Sequence, residues 1–267
     1  MQKVKPLKRF GQNYLYDKNI IKKIIREIDP KPDDTIVEIG PGRGALTEQI
    51  YGKANNFVAV ELDKRVIEDL SSKFPDLELI QSDFLKIDIN LLLRSDKEKI
   101  RIIGNIPYNI TSPIIFKTIK NSEIIDDAVL MVQLEVAKRM TSQKGTKDYG
   151  ILAVLLQYFS ETNLCFKVSP NAFYPKPKVT SAVVHIKLKR LKISEREQQT
   201  FINIVKASFG NRRKKLKNSL SNSIFKDINF SGADIDLSLR AEQLDVNDFI
   251  QLAKYTQDQL NQSDSAS

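Results

Sequence analysis

Cysteine, histidine and long apolar runs are all scarce in this 267-residue chain. The single cysteine, Cys165, excludes an internal disulfide and a metal site built from cysteines. It reads as a buried apolar residue of a protein in a reducing compartment. The single histidine, His185, sits in the alternating stretch Ser181–Leu188, on the face opposite Val184 and Ile186. A structural or surface role is expected of it, and no metal site is expected anywhere. No segment approaches the roughly eighteen consecutive apolar residues that cross a bilayer, and the N-terminus carries no continuous apolar leader core. The expected setting is cytoplasmic, with no membrane partner.

Basic residues are plentiful instead. Lys and Arg number 42 against 33 Asp and Glu, a formal charge of +9. Such a balance favours a polyanionic partner. The apolar fraction of 41% suffices for a sizeable core. The length suggests one large domain and a smaller one.

After a basic arm (Lys3, Lys5, Lys8, Arg9) and an isoleucine stripe from Ile20 to Ile28, strands and helices alternate. Thr35–Gly40, Phe57–Glu61, Leu77–Gln81, Ile100–Gly104 and Ala128–Gln133 read as strands. Ala45–Tyr51, Lys64–Lys73, Ile89–Arg94 and Ser112–Lys120 read as helices. The pattern predicts an α/β fold, a parallel sheet covered on both faces. Ligands of such sheets sit beyond the carboxyl ends of the strands, where Gly40, Glu61, Asp83 and Asn105 all fall. Gly150–Ser160 reads as a helix and Ser181–Leu188 as a late strand. Beyond Arg190 only helical patterns follow, Glu195–Ser208 and Val246–Leu260 among them. The expected division is therefore 1–190, a Rossmann-like domain, and 191–267, a small all-α domain.

Val37–Ala45 joins the first strand to its helix and carries Gly40, Gly42 and Gly44. Glycines suit positive φ and close approach to a ligand. With Glu61 about twenty residues on for ribose hydroxyls, this loop satisfies a nicotinamide and an S-adenosylmethionine site equally. Glu38, in the strand itself, would repel a pyrophosphate but suits ammonium and sulfonium charges. Asp83-Phe84 offers an acceptor for an adenine amino group with a ring beside it. Asn105-Ile106-Pro107-Tyr108 ends another strand. Its amide oxygen and a backbone carbonyl near the proline can accept from an exocyclic NH₂, and its tyrosine can stack on the ring.

Together these segments resemble the ribosomal RNA adenine dimethyltransferases, specifically the KsgA/RsmA group acting on small-subunit rRNA. Arg9-Phe10-Gly11-Gln12-Asn13-Tyr14-Leu15 matches the N-terminal motif of that family, with Tyr14 where Phe is commoner. Val37–Gly44 matches its cofactor loop, Asn105–Tyr108 its catalytic motif, and Phe173–Val179 its target-side loop. Phe209–Leu220 and Leu239–Ala253 resemble the group's C-terminal domain. The resemblance implies an S-adenosylmethionine-dependent methyltransferase with Asn13, Leu15, Gly40, Gly42, Glu61, Asp83 and Asn105 around the cofactor. Asn105, Pro107, Tyr108 and Phe173 would serve the target adenine, Tyr108 and Phe173 stacking on its two faces. It also implies small-subunit rRNA in a pre-30S particle as partner, two methyl groups going to N6 of each of two adjacent adenosines in the 3′-terminal hairpin.

The densest basic run is Arg212-Arg213-Lys214-Lys215-Leu216-Lys217, expected to open a helix and contact phosphates. From residue 191 onward 11 basic residues meet 10 acidic ones, a net of +1, so the run stands out. Lys176 and Lys178 are expected to extend this path, as are Lys138, Arg139, Lys144 and Lys147. A monomer is expected, since no heptad or exposed apolar strand is visible. A large-subunit rRNA methyltransferase, a non-catalytic nucleic-acid-binding protein and a nicotinamide enzyme remain as alternatives.

Overall fold

Burial of the strand–helix alternation produces a seven-stranded sheet, seen in a computed structural model that describes residues 5–7, 11–95, 99–211 and 213–266. The chain runs β1 (Tyr14–Leu15), α1 (Lys18–Ile28), β2 (Thr35–Ile39), α2 (Thr47–Ile50), β3 (Asn56–Glu61) and α3 (Lys64–Lys73). It continues through β4 (Glu78–Gln81), β5 (Ile100–Asn105), α4 (Thr111–Lys120), β6 (Ile125–Gln133), α5 (Leu134–Met140) and α6 (Ile151–Phe159). The last elements are β7 (Ser160–Val168), β8 (Phe173–Tyr174), β9 (Ser181–Leu188), α7 (Glu195–Phe209), α8 (Leu216–Ser221) and α9 (Val246–Ala266). The basic arm falls largely outside the described residues, as do Arg9, Phe10 and Arg212.

The sheet order is β4-β3-β2-β5-β6-β9-β7. Its first five strands are parallel, while β9 is antiparallel to β6 and to β7. The expected all-parallel sheet is thus corrected at one edge. β7 is a strand that the sequence pattern does not predict, since Ser160 reads there as the end of a helix. Its Ser-Glu-Thr-Asn start leaves most of the strand partly or fully exposed, as suits an edge strand. Cys165 lies on it and is half-buried rather than buried. Burial and the nearby Glu27 carboxylate push its thiol up to about 12. The helix expected over Ile89–Arg94 is a 3₁₀ turn, Ile89–Leu92.

The order of strand addition reverses between β2 and β5, since β3 and β4 lie on one side of β2 and β5 and β6 on the other. This switch point opens a crevice at the strands' carboxyl ends. Gly104 lets the end of β2 pass close to β5, because a Cβ there would stand 2.5 Å from the Ile39 carbonyl oxygen. At the opposite, amino end of β5 and β6 a polar cluster is buried. Asp127, 5% exposed, accepts from Arg101 Nε and Nη2, both at 2.8 Å, and is bonded to His185 Nε2 at 2.8 Å. Arg101 also reaches Asp34 and the Ile28 carbonyl, and His185 Nδ1 lies 3.0 Å from Glu27. The expected structural role of the histidine is what this geometry displays.

Two compact units divide the chain, 1–137 with 160–189 and 138–159 with 190–267. The division differs from the expected one at residues 138–159 and by one residue, Arg190, at the later boundary. Residues 138–159 group with the helical unit because α6 is apolar on every side and Phe159 meets Phe201 of α7 edge-on. In the same unit Phe209 stacks on Phe249 at 5.7 Å, and a capping box of Ser194 and Glu197 starts α7.

Candidate active site

The crevice between β2 and β5 widens into a cavity of about 240 Å³. Asn13, Leu15, Gly40, Gly42, Glu61, Asp83, Asn105, Pro107 and Tyr108 all line it, together with Glu38 and Phe84. Phe173 does not. It is 3% exposed and packs in the apolar core with Leu15, Ile103 and Met131. Its expected stacking role is corrected accordingly: β8 pairs with β1, Leu15 opposite Phe173, and alternation turns both inward.

Each carboxylate of the cavity is held differently. Glu61 ends β3 at 8% exposure, its Oε1 accepting from the Leu62 and Asp63 amides at 2.8 and 2.9 Å. Burial raises its pKa against these hydrogen bonds. Asp83 accepts from the Leu85 amide at 3.0 Å, capping the 3₁₀ turn Phe84–Lys86. Capping and lining coexist in this residue. Glu38 is 2% exposed and accepts from Thr47 Oγ1 at 2.7 Å. Desolvation pushes its carboxyl up to about 7, the Thr47 hydrogen bond opposing and Glu61 reinforcing the shift.

At the other end of the cavity, Asn105 Nδ2 donates to the Asn13 carbonyl at 2.8 Å. That tether commits the nitrogen and leaves Oδ1 as the acceptor end of the amide. Pro107 has no N–H to offer, and its carbonyl accepts from the Ile110 amide at 3.1 Å. Among the described hydrogen bonds none is made to the Ile106 carbonyl. The Tyr108 hydroxyl and Ser181 Oγ are bonded at 2.7 Å, fixing the ring from β9. Burial raises this phenol's pKa.

Several supports were invisible in the sequence. Gln12 Nε2 donates to Asp63 at 3.2 Å, while its Oε1 accepts from Tyr14 Oη at 2.9 Å and the Leu7 amide at 2.8 Å. Arg65, bonded to Asp63 at 2.6 Å, holds that carboxyl below its usual range. Burial, with Asp63 and Glu61 nearby, pushes the Tyr14 hydroxyl up to about 12. Lys117 donates to the Leu85 and Ile87 carbonyls and lies 5.4 Å from the Phe84 centroid, bracing that loop. Gln12 and Tyr14 stand in the N-terminal motif, where the sequence assigns a role to neither.

The cavity fits a cationic cofactor better than a pyrophosphate. Gly40 takes φ +64°, and no atom comes within 4 Å of where its Cβ would stand, so its backbone is open to a ligand. Glu38, Glu61 and Asp83 then supply three acceptors, against a single lining cation among the described residues, Arg43. A phosphate chain would meet carboxylates, whereas ammonium and sulfonium charges would be matched.

In the helical unit Arg213, Lys214, Lys215 and Lys217 are exposed. The basic run leads into α8: Lys215 is its N-cap and Leu216 and Lys217 are its first residues, the Leu216 amide donating to the Leu239 carbonyl at 2.7 Å. Lys176 and Lys178 are exposed on the loop after β8. Lys144 is paired with Asp245 at 2.7 Å. No helix among the described residues is long and apolar enough to cross a membrane.

Comparison with known proteins agrees with this site. A family model, ribosomal RNA adenine dimethylase, matches residues 4–258. Ribosomal RNA small subunit methyltransferase A of Francisella tularensis is 45% identical over 258 residues, 95% of this chain and 98% of that protein. A dimethyladenosine transferase from Plasmodium falciparum superposes with a TM-score of 0.73 at 25% identity, over 89% of this chain and 95% of that one. The 23S rRNA methyltransferase ErmE does so with a TM-score of 0.66 at 25% identity, over 92% of this chain and all of that one. By its motifs, its crevice and these matches, the chain belongs to the ribosomal RNA adenine dimethylase family.

Proposed function

We propose that this protein dimethylates N6 of two adjacent adenosines in the 3′-terminal hairpin of small-subunit rRNA, using S-adenosylmethionine. It does so as a cytoplasmic monomer acting on a pre-30S particle. The carrying observation is the tethered Asn105 amide, whose oxygen is left to the cavity beside the Tyr108 ring. The small-subunit relative at 45% identity favours this RNA over the large-subunit one.

When bound, the cofactor supplies an electrophilic methyl group on a sulfonium. Glu61 holds ribose hydroxyls, Asp83 the cofactor's adenine amino group, and Glu38 balances positive charge. The target base leaves its stack at a cost of a few kcal/mol, part of which stacking on Tyr108 returns. Asn105 Oδ1 and the Ile106 carbonyl accept from the N6 protons, favouring the pyramidal nitrogen that attacks. No side-chain base is needed while N6 attacks as a neutral group, and positioning supplies much of the acceleration. Mass spectrometry of rRNA from cells lacking the protein should find dimethyladenosine missing from the small subunit. Its loss from the large subunit instead would reverse the assignment.

Glu38 adds a pH signature. A carboxyl raised by burial stabilises the fold in its neutral form; that contribution is complete below 4.5 and lost as pH rises through about 7. A bound cation reverses the preference. Cofactor affinity should therefore weaken as pH falls below about 7, by up to about tenfold per unit. Calorimetric titration across that range checks this, and Glu38→Gln should flatten the slope.

Phosphates are met by Arg213, Lys214, Lys215 and Lys217, with Arg212, outside the described residues, completing the run, and by Lys176 and Lys178. Reversing Arg213 and Lys214 to Glu should weaken RNA binding and lower the salt slope by about 0.9 for each phosphate no longer neutralised. Filter binding at graded salt reads this, and an unchanged slope would remove both from the interface.

A further inference from the structure

Tyr174 is 59% exposed beside a site whose other aromatic residues are largely withdrawn from water. Its partner across the β1–β8 ladder is Tyr14, 6% exposed, directly opposite in register. Opposed residues of an antiparallel pair project to the same face. Leu15 and Phe173 take the core face, so the ribbon presents tyrosine outward. Tyr16 prolongs this face: its amide donates to the Ala172 carbonyl at 3.0 Å, and the residue is 60% exposed. The Arg43 guanidinium lies over both opposed rings, 4.8 Å from the Tyr14 centroid and 5.9 Å from that of Tyr174. Arg43 and Tyr14 line the cavity while Tyr174 does not, which puts Tyr174 at the rim.

An aromatic ring held in water, braced by a cation and followed by exposed Lys176 and Lys178, suits one kind of occupant. Single-stranded nucleic acid is gripped by stacking bases on aromatic rings while cations follow the backbone. A folded protein surface would leave the lysine charges unmatched, and the chain's net charge of +9 argues the same way. We propose that Tyr174, backed by Arg43, is a stacking platform for a nucleobase next to the extruded adenine, with Lys176 and Lys178 on the adjoining phosphates. This rests on the methyltransferase reading above and adds the path of the strand to it. Phe173 and Tyr174 thereby divide two tasks between neighbouring positions, one packing the core and the other meeting RNA.

The test uses the full chain with small ribosomal subunits that lack dimethyladenosine. Tyr174→Leu should raise the KM for subunits about tenfold, the size of one lost base stack. The S-adenosylmethionine Kd and the melting temperature should stay at wild-type values, and Tyr174→Phe should keep a wild-type KM. An active wild type whose Tyr174→Leu variant keeps its KM overturns the platform alone. So does a Phe variant as impaired as the Leu variant, or a cofactor Kd that moves in step with the KM. A wild-type chain that transfers no methyl to these subunits overturns the methyltransferase reading and the platform with it.

Discussion

Asn105→Ala should lower the single-turnover rate of methyl transfer about a hundred- to a thousandfold, the usual effect of deleting one directed group at a reacting centre. S-adenosylmethionine binding should remain largely intact, since Glu61, Asp83 and the Gly40 loop are untouched. The reasoning starts from the amide's two ends. Nδ2 is committed to the Asn13 carbonyl at 2.8 Å, which leaves Oδ1 as the acceptor for an N6 proton. Asn105→Asp separates the two roles. It keeps an acceptor but sets a carboxylate oxygen against the Asn13 carbonyl, so orientation is lost while hydrogen-bonding capacity is retained. A slow Asp variant would show that the tether matters as much as the oxygen. An Ala variant transferring methyl at near wild-type rate would remove the amide from the mechanism.

Asp127→Ala should have the largest effect on stability, at the far end of the sheet. Asp127 neutralises Arg101 through paired 2.8 Å bonds, and the Arg101 side chain is only 16% exposed. Deleting one partner of a buried pair costs about 3–5 kcal/mol when the other charge is left alone, and the remaining Asp34 contact at 2.7 Å places the cost toward or below the lower end. Burial alone would raise the Asp127 pKa, but Arg101 and His185 outweigh it and hold the carboxyl below its ordinary value. Its contribution is thus present above about 3.8 and is lost as pH falls through the lowered folded value. His185 runs the other way. Asp127 raises its pKa, so its share is full below 6.5 and is lost as pH rises through the folded value. The penalty of Asp127→Ala should therefore be greatest between about pH 4 and 6.5 and smaller in alkali. Thermal melts across that range measure it, and a pH-independent penalty would take the histidine out of the cluster's energetics.

Much of the cavity was legible because its residues follow apolar strand runs. Gly40, Glu61, Asp83 and Asn105 each stand at or just past such a run, and an open parallel sheet gathers those ends at one edge. What escaped detection depends on distant partners. β1 and β8 are two residues each, too short to carry a period, and exist only through each other. β7 is half-exposed along one edge, and its Ser-Glu-Thr-Asn start carries no apolar alternation to mark a strand. Phe173 read as a stacking ring since nothing local distinguishes an inward aromatic from an outward one; the β1 register decides it. Arg101, Asp127 and His185 are far apart in the sequence, Asp127 just outside the expected strand Ala128–Gln133, and only the β5–β6–β9 order brings them together.

The tie between positions 14–15 and 173–174 bears on how the protein is made. So long a closure costs chain entropy that two residue pairs offset only after the neighbouring strands are in place. The ribbon therefore depends on the main sheet for its formation, and not the sheet on the ribbon. Once formed, the tie is anchored from within by Leu15 and Phe173, whose burial in the core opposes local opening.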